Sequence, residues 1–154
     1  MDNLFNDAPV RDRHKGYLCA LEEAGIICRE EYYRQGSLDS QEARGLAVEL
    51  LSLDDPPTAI FAYSDAQAIG VLEAARDLGL QVPADLSVVG YDDIEAAEYV
   101  QLTTVRQSLF DSGVTGARLL LETMEQPHLD PQEVLLPTEL VIRSTTAEPA
   151  RVPY

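Results

Sequence analysis

Thr58-Ala59-Ile60-Phe61-Ala62-Tyr63-Ser64-Asp65-Ala66-Gln67 sets an uninterrupted apolar run directly against a helix-start signal. An apolar run without polar alternation is what a strand buried on both faces of a parallel sheet requires. Ser64 followed by Gln67 is a capping box, so a helix opens at the strand's end. That helix carries Ile69, Leu72 and Ala75 on one side and stops at Gly79. Leu86-Ser87-Val88-Val89-Gly90 repeats the strand pattern, and Leu102-Thr103-Thr104-Val105 repeats it in shorter form. Upstream, Arg13 to Ala24 reads as a helix with Tyr17, Leu21 and Ala24 at i, i+4, i+7 and Gly25 as its stop. A short strand is expected over Glu31 to Arg34. Asp39 with Glu42 then caps a helix striped by Ala43, Leu46, Ala47 and Leu50, and Pro56-Pro57 bars its continuation. Downstream of Ser108, Phe110, Val114, Ala117, Leu121 and Met124 recur at helical spacing. Val134-Leu135-Leu136 and Leu140-Val141-Ile142 read as terminal strands, and the tail after Thr146 as loosely ordered. Strand and helix alternating in units of about 30 residues define a right-handed βαβ series. The fold class is α/β, an open, mostly parallel sheet flanked by helices.

Composition bounds the function. The chain has 154 residues, 45% hydrophobic and 25% charged, which suits one globular domain. Its net charge of −16 repels phosphates, so the chain is a poor DNA binder by itself. No apolar run reaches the ~18 residues a membrane span needs. The opening Met1-Asp2-Asn3-Leu4-Phe5-Asn6-Asp7 has neither a basic nor an apolar region of a secretory signal, so a cytoplasmic home is expected. Cys19 and Cys28 read as reduced thiols in or near the core. No zinc spacing, phosphate-binding glycine loop or nucleophile elbow occurs, so no enzyme activity, metal or cofactor is expected.

In open parallel sheets ligands bind outside the carboxyl ends of the strands. That rule selects Tyr63-Ser64-Asp65, Tyr91-Asp92-Asp93 and Arg106-Gln107. A carboxylate at Asp92 would offer two acceptor oxygens to the hydroxyls of a sugar or to an amino group. Ser64 and Asp65 also suit a plain helix N-terminus, by capping and by dipole.

Gly79-Leu80-Gln81-Val82-Pro83-Ala84-Asp85-Leu86-Ser87-Val88-Val89-Gly90-Tyr91-Asp92-Asp93 resembles the signature segment of the LacI/GalR repressor family. Pro57 to Phe61 with Ser64 to Gly70, Leu102 to Gln107, and Leu140 to Thr145 resemble three further segments, in order and in register. The resemblance implies one lobe of a type I periplasmic-binding-protein-like fold, with a sugar, nucleoside or related polar metabolite as effector between two lobes. It implies that 1–107 forms the lobe, 108–136 crosses to the other lobe, 137–146 returns, and 147–154 is a tail. By the same resemblance Arg11, in Arg-x-Arg-x-x-Gly-aromatic (Arg11, Arg13, Gly16, Tyr17), matches the effector-contacting arginine. Asp92 matches the effector-binding aspartate, and Ser64, Leu38 and Gln107 fall at cleft-lining positions. The sequence departs from the family where Ser64 replaces Asn or Asp, where Leu38 replaces an aromatic, and where Gln101 replaces Pro. The resemblance further implies a homodimer, DNA contact only through a helix-turn-helix outside this chain, and no membrane partner. The alternative reading is a periplasmic-type solute-binding protein of a transporter. The stripe of the helix after Ser108 would lack its usual partner sheet, which favours altered packing or association.

Overall fold

The computed structural model describes residues 8–126, 128 and 130–149. The reading of Met1 to Asp7 and the end of the tail (150–154) lie outside the described residues. Helix α1 spans Ala8–Glu23 and a 3-10 turn covers Glu30–Tyr32. Then follow α2 (Ser40–Leu51), β1 (Ala59–Phe61), α3 (Asp65–Asp77), β2 (Ser87–Asp92), α4 (Glu95–Tyr99), β3 (Thr103–Gln107), α5 (Leu109–Glu125) and β4 (Thr138–Val141). The strands form one sheet in the order β1-β2-β3-β4. β1, β2 and β3 are parallel, in register Ile60 to Val88 and Gly90 to Thr104, and β4 is antiparallel to β3 with Thr104 opposite Val141.

Local chemistry sets the boundaries. Asp39 accepts from Glu42 N at 2.9 Å and Ser64 Oγ accepts from Gln67 N at 3.3 Å, so both expected N-caps form. Neither box closes reciprocally. The Glu42 carboxylate turns to Ser37, and the Gln67 amide donates to Ser37 O at 2.6 Å, so both tie the preceding loop to the helix starts. Three helices end in the same two-bond C-terminal motif. In α3, Gly79 N reaches Arg76 O (3.1 Å) and Leu80 N reaches Ala75 O (2.9 Å), with Gly79 at φ +74°. Gly25 ends α1 likewise, and Gln101, at φ +54°, does so for α4 without being glycine.

The core lies where α3 packs on β2 and α2 packs on α3. Ala47, Ala68, Val71, Ala74, Ala75, Leu86, Val88, Ala97 and Leu102 fill it. Small residues permit close approach. A Cβ on Gly70 would stand 2.2 Å from Ser40 O, so α2 and α3 touch backbone to backbone. A Cβ on Gly90 would stand 2.2 Å from Asp65 Oδ1. Beside Leu102 and Ser87, Thr145 ties the starts of two strands. It accepts from Thr103 N (2.8 Å), donates to Val88 O (2.7 Å), and its carbonyl accepts from Val88 N (2.8 Å).

Several expectations are corrected. Glu31 to Arg34 is no strand, because Tyr32 is drawn out of line by its hydroxyl's bond to Asp55 O (2.8 Å). Val134 to Leu136 is not a strand either, and only Thr138–Val141 pairs with β3. β1 is not buried on both faces; it is a sheet edge, and Phe61 stays 39% exposed. Cys19 and Cys28 are exposed rather than near the core. The buried face of α3 runs through Ala68, Val71, Ala74 and Ala75; of the expected stripe Ala75 is buried, while Ile69 and Leu72 lie one residue round from that face. Ala147, at the head of the tail, is pinned to Ser87 Oγ at 3.2 Å. None of the residues of α5 is buried. Among the described residues, no helix is long and apolar enough to cross a membrane.

Candidate functional site

The carboxyl ends of β1, β2 and β3 lie side by side, and one side chain from each neighbourhood meets at Asp92. Gln107, at the end of β3, donates Nε2 to Asp92 Oδ1 at 2.7 Å. Arg13, from α1, places its guanidinium 3.7 Å from the same oxygen. It donates to Tyr63 O at 2.8 Å and lies between two rings, 4.3 Å from the Tyr63 centroid and 3.7 Å from that of Tyr91. Such a cation between aromatic faces is held electrostatically and in one plane. Both contacts to Asp92 fall on Oδ1, and among the described residues no hydrogen bond reaches Oδ2. A cavity of about 280 Å³ opens beside the group, with Arg13, Tyr63, Tyr33, Phe61 and Leu38 in its wall.

The structure brings Asp92 and Gln107 together and leaves Arg11 out. Arg11 is 60% exposed and faces its neighbour Asp12 at 3.9 Å. The reason is helical phase. Positions 11 and 13 stand about 200° apart round a helix, so only one can face the sheet. Tyr17, one turn beyond Arg13, stacks on Phe61 at 6.4 Å and fixes which one it is. Ser64 is buried and its hydroxyl caps α3. Leu38 is exposed on the cavity wall.

Two further carboxylates support the turn after β2. Asp65 is buried, accepting from Thr104 Oγ1 at 2.5 Å and from Ile94 N at 2.9 Å. Burial raises its pKa, the two hydrogen bonds lower it, and the charges of Asp92 and Asp93 raise it; the net direction is upward. Asp93 accepts from Arg143 at 2.7 Å and from Arg106 at 2.7 Å. Burial pushes the Asp93 carboxyl up, and the bonds from Arg143 and Arg106 outweigh it and hold it below the usual range. Sequence reasoning placed Tyr63 and Tyr91 at strand ends without their contact to Arg13, and gave Asp65 a helix-dipole role. A tyrosine at each of two strand ends, with an arginine on the helix before them, was the available signal.

An open, mostly parallel sheet with polar side chains converging at its carboxyl edge places the chain in the α/β class. The chain belongs to the periplasmic binding protein-like domain family, whose profile matches residues 3–146. It is similar to the HTH-type transcriptional repressor PurR of Yersinia enterocolitica, 38% identical over 138 residues that make up 88% of this chain and 40% of the relative. It is also similar to the HTH-type transcriptional repressor CytR of Escherichia coli K12, 36% identical over 136 residues, 87% of this chain and 40% of the relative. Among solved structures it resembles a LacI family transcriptional regulator from Enterococcus faecium with bound ribose. The TM-score there is 0.82 at 32% identity, covering 90% of this chain and 52% of the other. The chain thus spans about two fifths of the curated relatives it matches. These relatives are transcriptional regulators rather than enzymes, and the transporter alternative is not favoured.

Proposed function

We propose that this chain is one lobe of the effector-sensing core of a LacI-type transcriptional repressor, with Arg13, Asp92 and Gln107 forming its half of the effector cleft. The convergence of Arg13 and Gln107 on Asp92 Oδ1, at the carboxyl edge of three parallel strands, carries this reading. Asp92 Oδ2 accepts a ligand hydroxyl, while the fixed Arg13 guanidinium donates from the other side. That complement of acceptor and donor suits a sugar, nucleoside or related polar metabolite; the Enterococcus faecium regulator carries ribose. Arg13 takes the part that the resemblance gives to Arg11. Leu38 supplies an apolar wall, and Ser64 acts by fixing the start of α3 rather than by its own hydroxyl.

Residues 1–107 form this lobe, 108–136 cross to a second lobe, 137–146 return, and 147–154 are a tail. Two observations support the crossing: Ser108 Oγ donates to Pro137 O at 3.0 Å, so exit and return are adjacent, and α5 between them is unburied. The effector shifts an equilibrium between lobe arrangements only by its differential affinity for them. The repressor works as a cytoplasmic homodimer, with the exposed Tyr99 near the contact, and reaches DNA through a domain outside this chain, whose own net charge of −16 repels phosphates.

A chimera tests the reading. This chain replaces the matched part of Escherichia coli CytR, and calorimetric titrations run through a panel of sugars and nucleosides. The isolated chain, holding half a cleft, binds nothing tighter than millimolar. The chimera binds one panel member at micromolar affinity, and Asp92→Ala or Arg13→Ala weakens it at least a hundredfold. Binding indifferent to both substitutions, or micromolar binding by the isolated chain, overturns the assignment.

A further inference from the structure

The turn that aims Asp92 is held in a conformation its own residues disfavour. Asp92 has φ +110° and Asp93 has φ +54°, two successive non-glycine residues in left-handed backbone. Aspartate tolerates that region better than most residues, but only singly, so such a pair persists where the surroundings over-determine it. The surroundings here can be named. Both oxygens of Asp93, whose side chain is 8% exposed, are occupied, Oδ1 by Arg143 NH2 and Oδ2 by Arg106 Nε, each at 2.7 Å. Asp65 takes the next backbone N–H, that of Ile94.

One arginine lies in β3 and the other just beyond the end of β4. Arg106 lies opposite Asp92 in the β2–β3 register, one residue before Gln107. Successive residues of a strand point to opposite faces. β3 therefore grips the turn twice, through Gln107 on Asp92 and through Arg106 on Asp93. Arg106 also meets Glu139 of β4 at 3.2 Å. Arg143 follows β4, and its NH1 donates to Leu102 O at 2.7 Å, which fixes the angle of its fork.

We propose that Asp93 is a positioning residue: gripped by Arg106 and Arg143, it keeps the Asp92–Asp93 turn left-handed and so ties the aim of the Asp92 carboxylate to the strands on which the chain leaves and re-enters this lobe. This rests on Asp92 being the effector group, and it adds how effector occupancy is transmitted. A ligand that draws on Asp92 pulls the turn against Arg106 and Arg143, and a shift of β3 or β4 re-aims Asp92.

The test uses the 154-residue chain without ligand, so its outcome is independent of whether any effector binds at Asp92. Asp93→Gly removes both arginine bonds while leaving positive φ free of cost; Asp93→Asn keeps one acceptor oxygen and a residue tolerant of left-handed backbone. Nuclear magnetic resonance reads the Cα and Cβ shifts of Asp92, which report its backbone, and the Gln107 side-chain amide, which reports its bond to Asp92. Asp93→Gly moves the Asp92 shifts away from left-handed values and takes the Gln107 amide to its free position; Asp93→Asn moves both part of the way. Arg143→Gln, 50 residues from the turn, moves the same signals in the same direction. A residue that merely staples β4 would lower stability and leave these signals in place. If Asp93→Gly does not fold, Asp93→Asn and Arg143→Gln decide; unchanged Asp92 and Gln107 signals in folded variants overturn the proposal.

Discussion

Asp93 and Asp65 stand close to one turn and respond to pH in opposite senses. The pKa of Asp93 is lowered in the folded protein, so its contribution to stability is present above the ordinary carboxylate range and is lost as pH falls through its folded value. The pKa of Asp65 is raised, so its contribution is complete below the ordinary carboxylate range and is lost as pH rises through its folded value. Urea denaturation from pH 7 to pH 3 separates the two. The stability gap between the parent and Asp93→Asn narrows toward acid, and the gap between the parent and Asp65→Asn widens. Gaps that stay parallel across that range would show that neither carboxyl is perturbed. At this scale the sequence made Asp92 and Gln107 legible, because strand-end position alone selects them. It selected Arg11 where the structure turns Arg13 to Asp92, since the motif contains both and only the phase of α1 against β1 separates them.

Helices α2 and α3 are joined by absence of side chain as much as by apolar contact. Gly70 lets Ser40 O, at the first residue of α2, approach where a methyl group would stand at 2.2 Å, and a backbone carbonyl has no rotamer to yield. Gly70→Ala therefore costs about 2–3 kcal/mol, as overpacked core positions do, measured by thermal or urea unfolding. A cost under about 0.5 kcal/mol would mean that the two helices slide apart freely. Capping was legible in sequence to the residue for Asp39 and Ser64. The destinations of Glu42 and Gln67 were not, because the carbonyl and hydroxyl that draw them belong to a loop placed by tertiary packing. The same reason explains Glu31 to Arg34, whose apolar and aromatic pattern suited a strand but whose Tyr32 is bound to Asp55 O across the fold.

At the scale of the whole molecule, α5 is an amphipathic helix none of whose residues is buried among the described residues: Phe110 is 82% exposed, and Val114, Leu120, Leu121 and Met124 are exposed beside it. A stripe of that extent favours association. Phe110→Glu with Leu121→Glu should leave unfolding free energy within about 0.5 kcal/mol of the parent, as exposed sites do, while sedimentation velocity shows the parent self-associating at micromolar concentration and the variant shifted to smaller species. A monomeric parent, or a variant that loses several kcal/mol, would contradict this account of α5. The alternation of apolar runs with capped helices was enough, read alone, to define an open, mostly parallel sheet, the ends of β1, β2 and β3 and the helices between them, because periodicity and capping are local properties of the chain. Which strand became an edge, which arginine faced the sheet, how two aspartates were forced into left-handed backbone, and whether a striped helix found a surface were decided only in three dimensions. Each depends on groups 13 to 79 residues apart in sequence, and no local pattern encodes a meeting over that distance.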